Sequence, residues 1–321
     1  MAEIDREAIV KELVELPEDT DSRDWPWIKK IVYELNQSRL WSDICIDAFN
    51  RTDSPALKIW FLLEHVNGWR RQLGKWDMKV AFEALEEIKF RISQLPDSYP
   101  RKDRLIELWL YHSGWVYHPA GEFSKAADCH LVAAKRAAVT NNKWGMACGS
   151  FNAYYERLNA AIIANKGIAE EYGKFRKAAY DFLAVLTGDD DNDIRWRANV
   201  FCHLAFYDWV VEGKYPGEED IAFLDELPNQ LRLAFADAAV VLRALFKFPD
   251  SRQRSMEITT RLGLTAEVEW YSFAILVRIS ALEKMGKMEE TRAAKEELDR
   301  IFENRHGGHL AWAILKHDLL K

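Results

Sequence analysis

Residues 105–142 read LIELWLYHSGWVYHPAGEFSKAADCHLVAAKRAAVTNN. Leu105, Leu108, Trp109, His112 and the pair Trp115/Val116 recur at i, i+3, i+4 spacing, which is one face of a helix. His118-Pro119-Ala120-Gly121 stops that helix, because proline cannot continue the hydrogen-bond ladder and glycine tolerates the turn. Phe123, Ala127, Leu131, Ala134 and Ala138 then mark the inner face of a second helix, which Thr140-Asn141-Asn142 ends. The stretch predicts two antiparallel helices joined by a tight turn.

The same grammar extends in both directions. Upstream, the patterns predict helices over 4–16, 26–36, 41–49, 55–73 and 77–92. Pro26 and Pro55 sit in first turns, where proline's missing N–H costs nothing. The polar loop 17–24 leaves the first helix, within residues 1–16, room for loose attachment to a main domain over 25–321. Residues 95–103 read as a linker and a candidate subdivision of that domain. Downstream, helices are predicted over 143–165, 167–186, 194–212, 218–227, 231–248, 251–262, 265–285, 289–303 and 310–319. The last of these suits a terminal cap, a docking surface or a dimer surface. A turn signature recurs at Gly74-Lys75-Trp76, Gly121-Glu122-Phe123, Gly213-Lys214-Tyr215 and Gly286-Lys287-Met288. In each, a glycine ends one helix and a large apolar residue anchors the next. Gly173-Lys174-Phe175 has the same residue types, but the pattern places it inside or near the start of a helix.

The composition narrows the class. The chain has 321 residues, enough for one large or two ordinary domains. Few glycines and prolines and only short β-branched runs argue against sheet. The net charge of −7 argues against nucleic-acid binding by bulk electrostatics. Cys45, Cys129, Cys148 and Cys202 are far apart and each sits within a helical pattern, so reduced thiols in a cytoplasmic protein are expected. The opening MAEIDREAIVKEL lacks the features of a signal or transit peptide. No run reaches the length a membrane-spanning helix needs. These readings predict an all-α cytoplasmic protein of undetermined oligomeric state.

The 105–142 stretch resembles a tetratricopeptide repeat. Gly114, Tyr117, Gly121, Phe123, Ala126 and Ala133 fall where that repeat places its small residue, tyrosine, turn glycine, aromatic and two close-contact alanines. Leu110 stands where the repeat usually has tryptophan, and no proline closes the unit. The resemblance implies an α-solenoid of antiparallel helix pairs. The intervals between the signature glycines are irregular and mostly longer than the family's 34 residues, so elongated, degenerate units are expected.

Motifs for chemistry are sparse. Asp189, Asp191 and Asp193 match positions 1, 3 and 5 of a calcium loop, but Ile194 and Val200 occupy the places of the required glycine and glutamate. The acidic run therefore reads as a cap on the following helix. Cys129-His130 and Cys202-His203 are neighbours on helices and point about 100° apart, so neither pair chelates one ion. There is no CxxC, HExxH, GxSxG, P-loop or GxGxxG. No catalytic residue, metal ligand or cofactor is expected.

The family resemblance implies that first helices line a concave groove holding an extended peptide. Its groove positions fall on Leu108, Tyr111, Trp115 and His118. In the next first helix Asn152, Tyr155 and Asn159 form a polar stripe, and in the one after Arg195, Asn199 and His203 do so. Asparagine can serve both the donor and the acceptor of a bound backbone. The expected function is a non-catalytic module that binds another protein or peptide segment to assemble or regulate a complex. The alternatives are a sensor of a peptide or small molecule, and a helical enzyme with an unfamiliar site. Of the 13 tryptophans, Trp25, Trp60, Trp109 and Trp196 are expected to fill helix seams.

Overall fold

In the computed structural model, residues 5–18, 20, 22, 25–28, 30–31, 37–70, 78–261, 268–304 and 309–319 are described. Among them all regular secondary structure is helical. Part of the expected 26–36 helix, the Gly74 turn and the break at 306–309 lie largely or wholly outside the described residues. The chain divides into two units, one of Met1–Tyr117 with Asp128–Gly149 and one of His118–Ala127 with Ser150–Lys321. The first boundary follows Tyr117 rather than falling in the expected 95–103 linker.

The first unit contains α1 (Arg6–Val14), α2 (Pro26–Ile28), α3 (Ser38–Arg51), α4 (Pro55–Arg70), α5 (Met78–Gln94) and α6 (Lys102–Tyr117). It also holds most of α7 (Phe123–Val139) and the first turns of α8 (Lys143–Ala164). α1 is not loosely held. Ile9, Val10 and Leu13 at i, i+1, i+4 are buried, and α1 packs on α3. Arg6 pairs with Asp47 at 2.6 Å, and Glu7 pairs with Arg51. Trp25, Trp41, Trp60 and Phe61 form the aromatic heart, with Trp25 crossing Trp41 edge-on at 6.2 Å. The buried Glu64 carboxylate accepts from Ser22 Oγ at 2.7 Å, Asn67 Nδ2 at 3.2 Å and Trp41 Nε1 at 3.3 Å. Burying a carboxylate without partners costs several kcal/mol, at least about 2 even for a neutral polar group, so these donors are part of the fold.

The quoted stretch forms α6 and α7 as its spacing predicts. Gly114 is the contact point. A Cβ there would lie 2.5 Å from Nε2 of the buried His130 on α7. His130 is in turn packed edge-on by Tyr111 at 5.6 Å and Trp115 at 5.5 Å. At the other end of α7, Asn142 caps α8 by accepting from Gly145 N at 2.9 Å and donates to buried Glu107 at 3.3 Å. Arg104 pairs with Glu107 at 2.5 Å. A carboxylate near a helix N-terminus complements the dipole.

The second unit continues with the rest of α8, α9 (Ile168–Leu183), α10 (Asp191–Tyr207), α11 (Glu218–Glu226), α12 (Asn229–Ala234) and α13 (Ala236–Lys247). It closes with α14 (Arg252–Thr260), α15 (Val268–Lys284), α16 (Met288–Asn304) and α17 (His309–Lys316). The helix expected over 231–248 is broken at Phe235 into α12 and α13. The 194–212 helix ends differently from its pattern: Asp208–Glu212 forms a π turn after α10. Gly121, Gly213 and Gly286 all adopt positive φ between helices, the left-handed geometry that glycine reaches without steric cost. Gly173 lies within α9. Phe206 stacks on Phe273 at 3.8 Å, and Phe151 lies 5.8 Å from both Phe175 and Phe182. Trp25, Trp60 and Trp196 are buried seam residues, while Trp109 is half-buried and donates its Nε1–H to Leu85 O at 3.0 Å.

The acidic run caps α10. Asp190 Oδ1 accepts from Asn192 N and Asp193 N, both at 2.9 Å, and Asp193 Oδ2 accepts from Gly188 N at 2.7 Å. Asp190→Ala should therefore lower stability by about 1 kcal/mol. Thermal unfolding with and without added calcium checks this. The expected result is a lower Tm for the variant and a Tm indifferent to calcium in both proteins.

Candidate functional site

Four of the ten expected groove residues converge, inside the second unit, on one largely buried polar network, while Leu108 is partly buried against the core of the first unit. His118 stands in the turn before α7, Tyr155 and Asn159 on α8, and His203 on α10. The stripe Asn152, Tyr155 and Asn159 does not line a wet channel. All three are buried, with Asn152 and Asn159 wholly inaccessible. The reason is visible in the α8 register. Asn152, Tyr155, Glu156 and Asn159 fall at i, i+3, i+4, i+7, the spacing of a core-facing stripe.

His118 is the centre. Its Nδ1 lies 2.9 and 3.0 Å from the two oxygens of Glu156, and its Nε2 lies 3.5 Å from Glu269 Oε1. Both ring nitrogens face carboxylates, an arrangement that suits the imidazolium, in which both are donors. Tyr155 donates its hydroxyl to Glu269, and its ring stacks on His118 at 5.6 Å with 22° between the planes. Beyond Glu156, Asn159 Nδ2 donates to its Oε2 at 3.5 Å, and Tyr207 donates its hydroxyl to Asn159 Oδ1 at 2.5 Å. The chain of bonds thus runs Tyr155, Glu269, His118, Glu156, Asn159, Tyr207. His203 lies beside it, its ring 4.9 Å from Tyr155 and 5.2 Å from Trp270, with Nδ1 on Asn199 O at 2.8 Å.

The electrostatics follow from burial and from these partners. Burial pushes His118 down, but the Glu156 and Glu269 carboxylates outweigh it and raise its pKa well above that of a free imidazole. Burial raises Glu269, yet the His118 charge and hydrogen bond, with smaller help from His203 and Tyr155, bring it to about 2. Glu156 is wholly inaccessible, and burial raises it against the pull of His118. Burial lowers His203 against the pull of Glu269. The result is one imidazole set between two carboxylates, Glu156 at 2.9 Å and Glu269 at 3.5 Å, of which burial raises the first and His118 lowers the second.

The remaining expected residues lie elsewhere. Tyr111 and Trp115 belong to the first unit and pack on His130. Arg195 and Asn199 are half-buried on α10, Arg195 with its guanidinium 5.9 Å from the Trp196 ring. Glu156, Tyr207, Glu269 and Trp270 were not foreseen. The α8 register was the signal for Glu156. Nothing local could have marked Glu269, which meets Tyr155 from 114 positions away.

As chemistry, the network resembles an acid–base site in composition but not in arrangement. The groups able to move a proton are bonded to one another. The two carboxylates occupy opposite nitrogens of one ring, which offers no common vertex for a cation. Among the described residues no group of three or more His, Cys, Asp or Glu is placed to hold a metal ion. No described helix is long and apolar enough to cross a membrane. Comparison with known proteins finds no matching family model, no matching curated protein and no matching solved structure.

Proposed function

We propose that the chain is a non-catalytic helical-repeat module, a tetratricopeptide-like α-solenoid that holds another protein and helps assemble or regulate a complex. The observation that carries this reading is the closure of the polar network. His118, Glu156, Glu269, Tyr155, Asn159 and Tyr207 satisfy one another. A fully connected buried network specifies a core arrangement. The Gly114–His130 approach and the positive-φ glycine turns support the repeat reading. With its polar residues engaged inside, the module meets its partner through its outer helix faces.

The test is capture of a partner from the native source on the intact chain, followed by cross-linking and mass spectrometry. One stoichiometric protein, cross-linked to exposed helix faces, is the expected result. A co-purifying metabolite that the chain converts to a product would overturn the reading in favour of an enzyme. A second reading, a sensor, draws on one fact: the side chains of His118 and Glu269 are 14% and 21% exposed. A charged ligand reaching that edge would compete with the ion pair. A co-purifying metabolite that shifts Tm but is not turned over would favour it.

A further inference from the structure

The polar network in the second unit has an open edge, and the atoms left over there are acceptors. The imidazole of His118 and the hydroxyls of Tyr155 and Tyr207 are spent as donors within the network. At Glu269 both contacts fall on Oε1: the Tyr155 hydroxyl, and His118 Nε2 at 3.5 Å. Among the described residues the second oxygen, Oε2, takes no hydrogen bond. His203 adds another acceptor. Its Nδ1 lies 2.8 Å from Asn199 O, a carbonyl oxygen that only accepts, so Nδ1 carries the hydrogen and the neutral ring keeps a lone pair on Nε2. Among the described residues that Nε2 has no hydrogen-bond partner either. Tyr155 stands between the two groups, its hydroxyl on Glu269 and its ring 4.9 Å from the His203 ring. Trp270, next to Glu269 in the chain, packs 5.2 Å from the same His203 ring. The Glu269 side chain is 21% exposed, so solvent reaches this edge, while Tyr155 and Trp270 beside it are buried.

The charges point the same way. Two carboxylates, Glu156 and Glu269, face one imidazole. Among the described residues no lysine or arginine lies within ion-pair distance of either carboxylate. With His118 protonated, ionising both carboxylates leaves one negative charge in excess, where burial weakens the screening of it. Protonating Glu156, which burial favours, relieves that excess from inside. A positive ligand at the Glu269 edge relieves it from outside. A metal ion would need several ligands around one point, which the opposed carboxylates do not provide. An ammonium needs only a carboxylate and a neutral acceptor, each taking one N–H.

We propose that the open edge of the network binds an organic ammonium ion, with Glu269 Oε2 as its counter-ion and His203 Nε2 accepting a second N–H. A free amine and a lysine side chain present the same group, and the experiment separates the two sources. This rests on the sensor reading and adds the chemistry of the ligand.

The probes are n-butylammonium chloride, sodium butyrate as an anion of similar size, and N-acetyl-lysine methylamide, each titrated into the intact chain at constant ionic strength. Isothermal calorimetry and Tm are read. Butylammonium should bind saturably and raise Tm, and butyrate should do neither. Glu269→Gln keeps an acceptor for Tyr155 but removes the charge, and it should weaken butylammonium binding by about tenfold or more, the effect of losing a hydrogen bond to a charged group. His203→Phe should weaken it by about fivefold. Circular dichroism verifies that each variant stays folded. If Glu269→Gln does not fold, His203→Phe and the contrast between the two ions on the wild type carry the test. Glu218→Lys with Glu219→Lys, a charge reversal on exposed α11, should change binding by less than about twofold, because distant surface charges are screened. Tighter binding of the lysine amide than of butylammonium supports the proposal with a lysine as the source, and the reverse order supports it with a free amine. Binding that Glu269→Gln and His203→Phe leave unchanged would place the ammonium elsewhere and overturn the proposal. Stabilisation by butyrate and not by butylammonium would overturn the ammonium while the sensor reading stands. Absence of binding by all three probes would overturn the proposal. The sensor reading would then survive only if a metabolite from the native source shifts Tm.

Discussion

Glu269→Ala is expected to lower the unfolding free energy by about 3 kcal/mol, the lower end of the cost of removing one partner from a buried ion pair. The loss has two parts. His118 keeps its charge with only Glu156 opposite, and the Tyr155 hydroxyl loses its acceptor. Urea unfolding of the wild type, Glu269→Ala, His118→Gln and the double variant forms a cycle. The double variant should be less destabilised than the sum of the singles by at least about 1 kcal/mol, because residues in one network are coupled. Simple additivity would mean that the two side chains stand near each other without sharing an interaction.

The same pair sets a pH dependence. The His118 pKa is raised in the folded chain from its ordinary 6.5, chiefly by Glu156 and Glu269 against the opposing effect of burial. Its contribution is therefore complete below 6.5 and is lost as pH climbs through the raised value. Glu269 is brought from 4.5 to about 2, so its contribution is complete above 4.5 and is lost as pH falls toward 2. The two overlap fully between 4.5 and 6.5. Glu156 and His203 oppose them. A raised Glu156 contributes less as pH rises above 4.5, and a lowered His203 contributes less as pH falls below 6.5. Subtracting the His118→Gln curve from the wild-type curve isolates the His118 contribution. That difference should be largest between pH 4.5 and 6.5 and should shrink as pH rises above 6.5. A difference independent of pH would show that His118 is held uncharged.

Gly114→Ala is the second large effect, a loss of about 2 kcal/mol typical of overpacking a tight core. The added Cβ would meet three atoms of the His130 ring at 2.5 to 2.8 Å. His130 has nowhere to retreat, since Tyr111 and Trp115 hold it edge-on. Adding His130→Ala should remove the clash, so the double variant should be more stable than the sum of the two single losses by about 1 kcal/mol. Chemical denaturation with tryptophan fluorescence measures both. A Gly114→Ala variant as stable as the wild type would mean that α6 and α7 can separate at this point without cost.

Some of this was legible in the residues. Helical periodicity, proline in first turns and glycine after last turns depend on backbone geometry within a few residues, so α3 to α10 were placed within a few positions of their ends. Gly114 stood out as the small residue of a stretch that resembles a tetratricopeptide repeat, and the structure sets it against His130. The Asp190 cap was readable because a cap is local. The Asp208–Glu212 π turn was not, because a pattern of apolar residues does not distinguish one extra residue in a turn. The break at Phe235 was likewise hidden inside a continuous apolar pattern.

The polar stripes mark the dividing line. Local spacing put Asn152, Tyr155 and Asn159 on one face of α8, and it was silent on what that face meets. A polar face opposite water is a solvated surface. The same face opposite Glu269, Tyr207 and His118 is a core. By itself the sequence determined the helical class and the approximate ends of most described helices, because each is written in neighbours along the chain or one turn apart. Only the tertiary structure decided that Asn152, Tyr155, Asn159 and His203 are buried, and that two glutamates clasp one histidine. Those outcomes depend on which distant helices pack together, and burial by a distant partner leaves no mark on the residues that it covers.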